Sequence, residues 1–144
     1  MIVQEILKSK GDSTVATVSP QTLVSEAAKI LAERRIGGVI VSSDGETPEG
    51  ILSERDIVRA LAVKGALCMQ ESVSEMMTRN PVCAQLNETA DAVLAHMTEG
   101  RFRHMPVVQD GKMVGIITIG DVVKARLTEL SMERDALEGM VMGF

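Results

Sequence analysis

The sequence says nearly the same thing twice. Gly50-Ile51-Leu52-Ser53-Glu54-Arg55-Asp56-Ile57-Val58 returns as Gly115-Ile116-Ile117-Thr118-Ile119-Gly120-Asp121-Val122-Val123, each time a glycine, a buried strand, a hydroxyl and an aspartate entering a helix. The echo reaches well upstream. Val24, Ala27, Ala28 and Leu31 form an apolar stripe at helical spacing, and Ala90, Val93, Leu94 and Met97 form the same stripe 66 positions later (90 minus 24). Each stripe leads to an apolar residue (Ile36, Phe102), an apolar strand (Val39 to Val41, Met105 to Val108) and an Asp-Gly turn (Asp44-Gly45, Asp110-Gly111). A repeat this long means a duplicated structural unit whose halves bury each other's apolar faces.

Composition fits one domain made of two such halves. A chain of 144 residues lies in the single-domain range and buries roughly 70% of its unfolded surface. A net charge of −5 without a basic block or an aromatic platform argues against nucleic acid as a partner. Met1 to Leu7 is too short and acidic for a signal peptide and no apolar run spans a membrane, so the expected location is the cytoplasm. Cys68 and Cys83 have no C-x-x-C spacing and sit in apolar stretches, which reads as buried thiols rather than a disulfide or a metal site.

Periodicity and punctuation order the chain. Ile2, Val3, Ile6 and Leu7 predict a short lead-in helix stopped at Gly11-Asp12-Ser13, within a lead-in over 1–13. The first repeat covers 14–65: an extended Val15 to Val18, a helix from about Ser25 to Arg35, strands at Gly38 to Val41 and Gly50 to Leu52, and a helix from Asp56 to about Val63, ended by Gly65. Ser72 to Thr78 reads as a short helix within a linker over 66–79, started by Ser72 and stopped at Asn80-Pro81. The second repeat, 80–130, reruns the β-α-β-β-α order. Leu127, Leu130, Leu137, Met140 and Val141 mark a partly amphipathic end to the chain, with a tail over 131–144, interrupted by polar residues and suited to packing on the module or on a twin chain. The fold class is α/β, two β-α-β-β-α halves related by an internal pseudo-two-fold axis.

At this point a family resemblance becomes specific. Thr17-Val18-Ser19-Pro20, the Ala-rich helix, Arg101-Phe102-Arg103-His104-Met105-Pro106-Val107-Val108 and the twice-repeated G-h-h-[ST]-x-x-D resemble a pair of cystathionine β-synthase (CBS) domains, the Bateman module, here as a stand-alone pair of bacterial type. The resemblance runs from about Thr14 to Leu130. Repeat one has Gly37-Gly38 and Ile40 where repeat two has Arg103-His104 and Pro106, and Leu86 stands where repeat one has Pro20. The first difference makes the two halves chemically unequal.

Ser53-x-x-Asp56 and Thr118-x-x-Asp121 carry two readings. Each is a helix capping box, with an acid in the first turn facing the helix dipole. Each is also a ribose site, because a carboxylate at a strand end accepts from both hydroxyls and the adjacent helix N-terminus offers donors to phosphate. Two copies in register favour the second. The resemblance implies adenosine nucleotides in clefts between the repeats, each Asp working beside the first strand of the other repeat. One cleft then joins Ser53, Arg55 and Asp56 to Asn80, Pro81 and Val82 and to Phe102, Arg103 and His104. The other joins Thr118, Gly120 and Asp121 to Thr14, Val15 and Ala16 and to Ile36, Gly37 and Gly38. Arginine presents a fork matched to phosphate, so the first cleft is expected to take the phosphorylated ligand; the second has no basic residue among these members.

Catalytic signatures are missing. The sequence has no G-x-x-x-x-G-K-[ST] and no nucleophile elbow, and His96 and His104 stand apart from any acidic or cysteine cluster at metal-ligand spacing. His96 reads as a helix-face residue, and ten methionines read as core filler in a chain with few aromatics. The expectation is therefore a sensor without enzymatic activity or a metal, binding AMP first among AMP, ADP, ATP and NAD(H). The resemblance implies a disc-like homodimer, and output passes to an unidentified protein target in trans. The alternatives are an interaction scaffold with vestigial clefts and, further off, an enzyme acting on a nucleotide.

Overall fold

The computed structural model describes residues 1–11 and 15–142. Repeat one supplies β1 (Thr17–Val18), α2 (Val24–Arg34), β2 (Gly38–Val41), β3 (Gly50–Ser53) and α3 (Glu54–Lys64), after a lead helix α1 (Val3–Lys10). A 3-10 turn over Ala66–Gln70 and the one-turn helix α4 (Val73–Met76) lead to β4 (Thr78–Arg79). Repeat two follows with β5 (Ala84–Gln85), α5 (Ala90–Gly100), β6 (His104–Gln109), β7 (Lys112–Thr118) and α6 (Ile119–Val141). The strands form two sheets, β1-β2-β3-β4 and β5-β6-β7, in which the first strand of each repeat runs parallel to its neighbour and the hairpins are antiparallel.

Both sequence stripes face inward. Val24, Ala27 and Leu31 of α2 pack with Val39, Val41 and Leu52 of the first sheet, and Ala90, Val93 and Met97 of α5 pack with Met105, Val107 and Ile117 of the second. Truncating one of these buried side chains, Leu52 for example, to alanine costs about 2–5 kcal/mol. The Asp110-Gly111 turn has positive φ at both residues, +53° and +79°, which is the type I′ geometry that closes a two-residue hairpin. The counterpart at Asp44-Gly45 opens into a longer loop. There the Asp44 carboxylate accepts from the Glu46 and Thr47 amides at 2.8 and 2.7 Å, and these bonds hold its pKa well below the ordinary carboxylate value.

The lead segments are exchanged between the repeats. Val3 and Ile6 of α1 belong to the core of repeat two, whereas Val73 of α4 belongs to the core of repeat one. The backbone bonds repeat the exchange: Val3 N donates to Glu88 O and Gln4 N to Leu86 O (2.8 and 3.0 Å), while Val73 N donates to Thr22 O and Ser74 N to Pro20 O (2.8 and 3.1 Å). The acceptors are 66 positions apart in both cases (88 minus 22, 86 minus 20).

Two sequence expectations need correction. The linker helix ends at Met76, and Thr78-Arg79 form a strand instead, with Ile51 opposite Thr78 and Gly50 opposite Arg79. Gly50 permits this, because a Cβ there would collide with the Met77 side chain and the Thr78 carbonyl. Ser72 does not cap that helix with its hydroxyl, which bonds the Ser74 hydroxyl at 2.9 Å. The tail is not interrupted either, since α6 is continuous for 23 residues. From residue 131 onward its polar and apolar residues alike are exposed, apart from the half-buried Gly139.

Candidate functional site

A cleft of about 310 Å³ opens between the repeats. Its floor is β3 with Ile51 and Ser53 and the segment Thr78, Asn80, Pro81 and Val82; its walls are the first turns of α3 and the α5–β6 junction. All nine residues expected in the first cleft line it: Ser53, Arg55, Asp56, Asn80, Pro81, Val82, Phe102, Arg103 and His104. Asn80 holds a left-handed backbone at φ +50°, a region Asn tolerates better than most residues, and its amide donates to Glu49 O at 3.1 Å. The chain can thereby leave β4 and turn Pro81 and Val82 across the opening. Arg101 is also left-handed, at φ +57°, where it ends α5 and aims the following residues back into the cleft.

The two aspartates form capping boxes in both copies. Asp56 Oδ2 accepts from the Ser53 amide at 2.9 Å and from the Ser53 hydroxyl at 3.0 Å, while the Asp56 amide donates to Ser53 Oγ. Thr118 and Asp121 repeat the arrangement, with Asp121 Oδ2 taking the Thr118 amide at 2.9 Å. Capping leaves ribose binding open. It occupies Oδ2 of Asp56, and Oδ1 takes no hydrogen bond among the described residues, so this cleft-lining carboxylate keeps one acceptor free at a helix N-terminus.

His104 stands where the repeats meet. It opens β6 opposite Thr118, and its imidazole covers the two glycines of repeat one, about where side chains would sit. Cβ atoms at Gly37 and Gly38 would lie 3.3 Å from the ring. Burial pushes its pKa below the ordinary value; Glu54 counters, Arg103 adds to the depression, and Asp121 and Asp56 counter more weakly.

The second set of residues is arranged differently. Ala16 accepts from Ile40 N at 3.0 Å and Ile36 donates to Leu31 O while packing on the core of repeat one. Gly37, expected in the second cleft, lines the first, and Gly38 is buried beneath His104. Val15 and Thr118 are half-buried and Gly120 is exposed at the start of α6; Thr14 lies outside the described residues. None of those members is basic, but a cation reaches this side from outside the set. Lys10, at the end of α1, places Nζ 2.9 Å from Asp121 Oδ2 and donates to Ile116 O at 2.9 Å. Lys10 escaped sequence reasoning because the exchange of lead segments brings it 111 residues along the chain (121 minus 10).

The first cleft also holds residues that were not expected: Ile51, Glu54, Arg59, Thr78, Gly100 and Arg101. Arg59 follows Arg55 by one helical turn and thus shares its face, a signal the sequence did contain. Among the described residues no three His, Cys, Asp or Glu side chains gather to hold a metal ion, and no helix is long and apolar enough to cross a membrane.

A CBS domain family model matches residues 4–63 and again 73–128. The chain belongs to the CBS domain family. A CBS-domain-containing protein of Agrobacterium tumefaciens shares 48% identity and superposes with a TM-score of 0.83, covering 88% of this chain and 99% of that one. The CBS domain pair of protein MJ0100, solved with 5′-methylthioadenosine and S-adenosyl-L-methionine, is 29% identical with a TM-score of 0.77 over 90% of this chain and 98% of its own. CBSX2, solved with AMP, is 28% identical with a TM-score of 0.70 over 88% and 96%. Among curated relatives, the mitochondrial CBSX3 of Arabidopsis thaliana is 30% identical over 98% of this chain and 72% of its own length. The longer CBSCBSPB2 of the same plant is spanned by this CBS pair for only 24% of its length.

Proposed function

We propose that this CBS pair is a non-enzymatic sensor that binds a phosphorylated adenosine ligand in the cleft between its repeats. The observation that carries the reading is the charge of that cleft: among the described residues, Arg55, Arg59, Arg101 and Arg103 share it with only two carboxylates, Glu54 and Asp56. Guanidinium forks match phosphate oxygens, and Asp56 sits where it would accept from ribose hydroxyls. The apolar share of the lining, from Ile51, Pro81, Val82 and Phe102, suits a planar base. The related pairs solved with AMP and with S-adenosyl-L-methionine support an adenosine core. The surplus of arginines favours AMP, ADP, ATP or NAD(H) over a ligand without phosphate, and AMP first.

In this reading the protein acts in the cytoplasm as a homodimer and passes the state of the cleft to a protein target in trans. Support for association comes from Val58, Val63 and Leu67, which α3 and the following turn leave mostly exposed. A ligand binding one arrangement of the two repeats better than another shifts the population toward it.

A thermal-shift panel of AMP, ADP, ATP, NAD, adenosine, S-adenosyl-L-methionine and GTP tests the ligand class. Ligand at about a hundred times its dissociation constant adds roughly 2.7 kcal/mol, worth about 5–10 °C in a domain of this size. Phosphorylated adenosine compounds are expected to give that shift and GTP little. No shift with any of them leaves the interaction scaffold as the function.

A further inference from the structure

The last helix carries a second device. On α6, Val122 and Ala125 are buried in the core of repeat two, whereas Val123, Leu127, Leu130, Leu137 and Val141 are between 44% and 86% exposed. These five, with Arg134 between Leu130 and Leu137, follow one another at steps of four, three, four, three and four. At 3.6 residues per turn they occupy about 80° of arc, on the side turned away from Ala125. Met132 and Met140 are exposed on other sides of the helix, but only this row repeats at alternating steps of four and three, the spacing of a coiled-coil seam rather than of the wider face with which a helix lies on a globular core.

We propose that this seam pairs with the same seam of a second copy of the chain as a short antiparallel coiled coil. Charge decides the direction. In a parallel pair, Glu133 of one helix lies against Glu138 of the other on both flanks, and the two Arg134 side chains share a layer. Reversing one helix puts Leu127 opposite Leu137 of the other copy and Val123 opposite Val141, with Arg134 opposite Leu130. It also brings Lys124 beside Glu138 of the other copy, twice by symmetry, and leaves one like-charge contact, Glu133 against Glu133 of the other copy on the axis, in place of two. Arg134 keeps its partners on its own helix, Glu138 at 4.0 Å and Asp135 at 3.5 Å, so its charge lies at the rim while its stem covers Leu130. The inference does not rest on the nucleotide reading.

Cysteine cross-linking of the full chain tests both partner and direction. In a Cys83→Ser background, Leu127→Cys with Leu137→Cys is expected to give a covalent dimer on mild oxidation, whereas Leu137→Cys alone gives none. The two positions on one helix are about 15 Å apart, too far for a bond within the chain. A double variant that stays a single chain, or a single variant that cross-links as readily, overturns the proposal. Independently, Leu130→Glu with Leu137→Glu should raise the dimer dissociation constant at least about tenfold in sedimentation while keeping the thermal shift with nucleotide. An unchanged constant also overturns it. Loss of the nucleotide shift with dimerisation intact would count against the cleft reading instead.

Discussion

The ammonium of Lys10 lies 2.9 Å from the carboxylate of Asp121, while Asp56, at the matching place in repeat one, has no cation within 4.0 Å among the described residues. The asymmetry makes one aspartate available to a ligand and ties the other to the lead helix. Both side chains of the pair are about a fifth exposed, so the pair is worth about 1 kcal/mol after solvent screening. Lys10→Met should lower the melting temperature by about 2–4 °C. Asp121→Asn should lower it further, because it also weakens the capping box. In the double variant the losses should be less than additive; strict additivity in thermal melts would show that the pair is not coupled.

The cleft residues separate by the part of a ligand they meet. Asp56→Asn should weaken AMP by about ten- to a hundredfold, the equivalent of losing one charged acceptor. Arg103→Ala should weaken AMP far more than adenosine, and the difference should shrink at high salt. Calorimetric titration measures both, and equal losses for AMP and adenosine in Arg103→Ala would remove the guanidinium from the phosphate.

A third expectation concerns the contact between Gly38 and His104. Gly38→Val places branched carbon where the imidazole lies and should cost about 1–3 kcal/mol through overpacking. His104→Ala in the same chain should recover most of that loss. If the double variant is no more stable than Gly38→Val alone, the ring is not what Gly38 accommodates.

Acid should find the same histidine. The unfolded chain protonates it near 6.5, and the folded chain only at a lower pH, because burial, with Arg103, outweighs Glu54, Asp121 and Asp56. The contribution is therefore fully present above 6.5 and is lost as pH falls through the folded pKa. His104→Gln should flatten the decline in melting temperature between about pH 7.5 and pH 5.5. A decline as steep as that of the unaltered protein would assign the acid sensitivity to another group.

Much of this was legible locally. The stripes of α2 and α5, the Gly-strand-hydroxyl-Asp units and the Asp110-Gly111 hairpin are short-range patterns whose physics is complete within a dozen residues. The first cleft followed because its members belong to motifs in known register. What escaped depends on pairs far apart in sequence: Lys10 with Asp121, β4 with β3, and Gly37 with His104. Nothing in the residues 72–78 distinguishes a longer helix from one turn and a strand, since the deciding feature is the missing side chain at Gly50. The continuity of α6 was concealed for another reason. Its outer stripe has no partner within the module, so alternation with polar residues looked like interruption.

The exchanged lead segments bear on how such a molecule can arise and be taken apart. A single repeat carrying its own lead helix has no partner for it within its own chain, and could bury Val3 or Val73 only against a neighbour. Two separate copies would therefore swap these helices between chains, and duplication of the coding sequence places that swap inside one polypeptide. Cutting the chain between the repeats should consequently yield fragments that are each incomplete yet reassemble when mixed, each donating to the other the helix it cannot use itself.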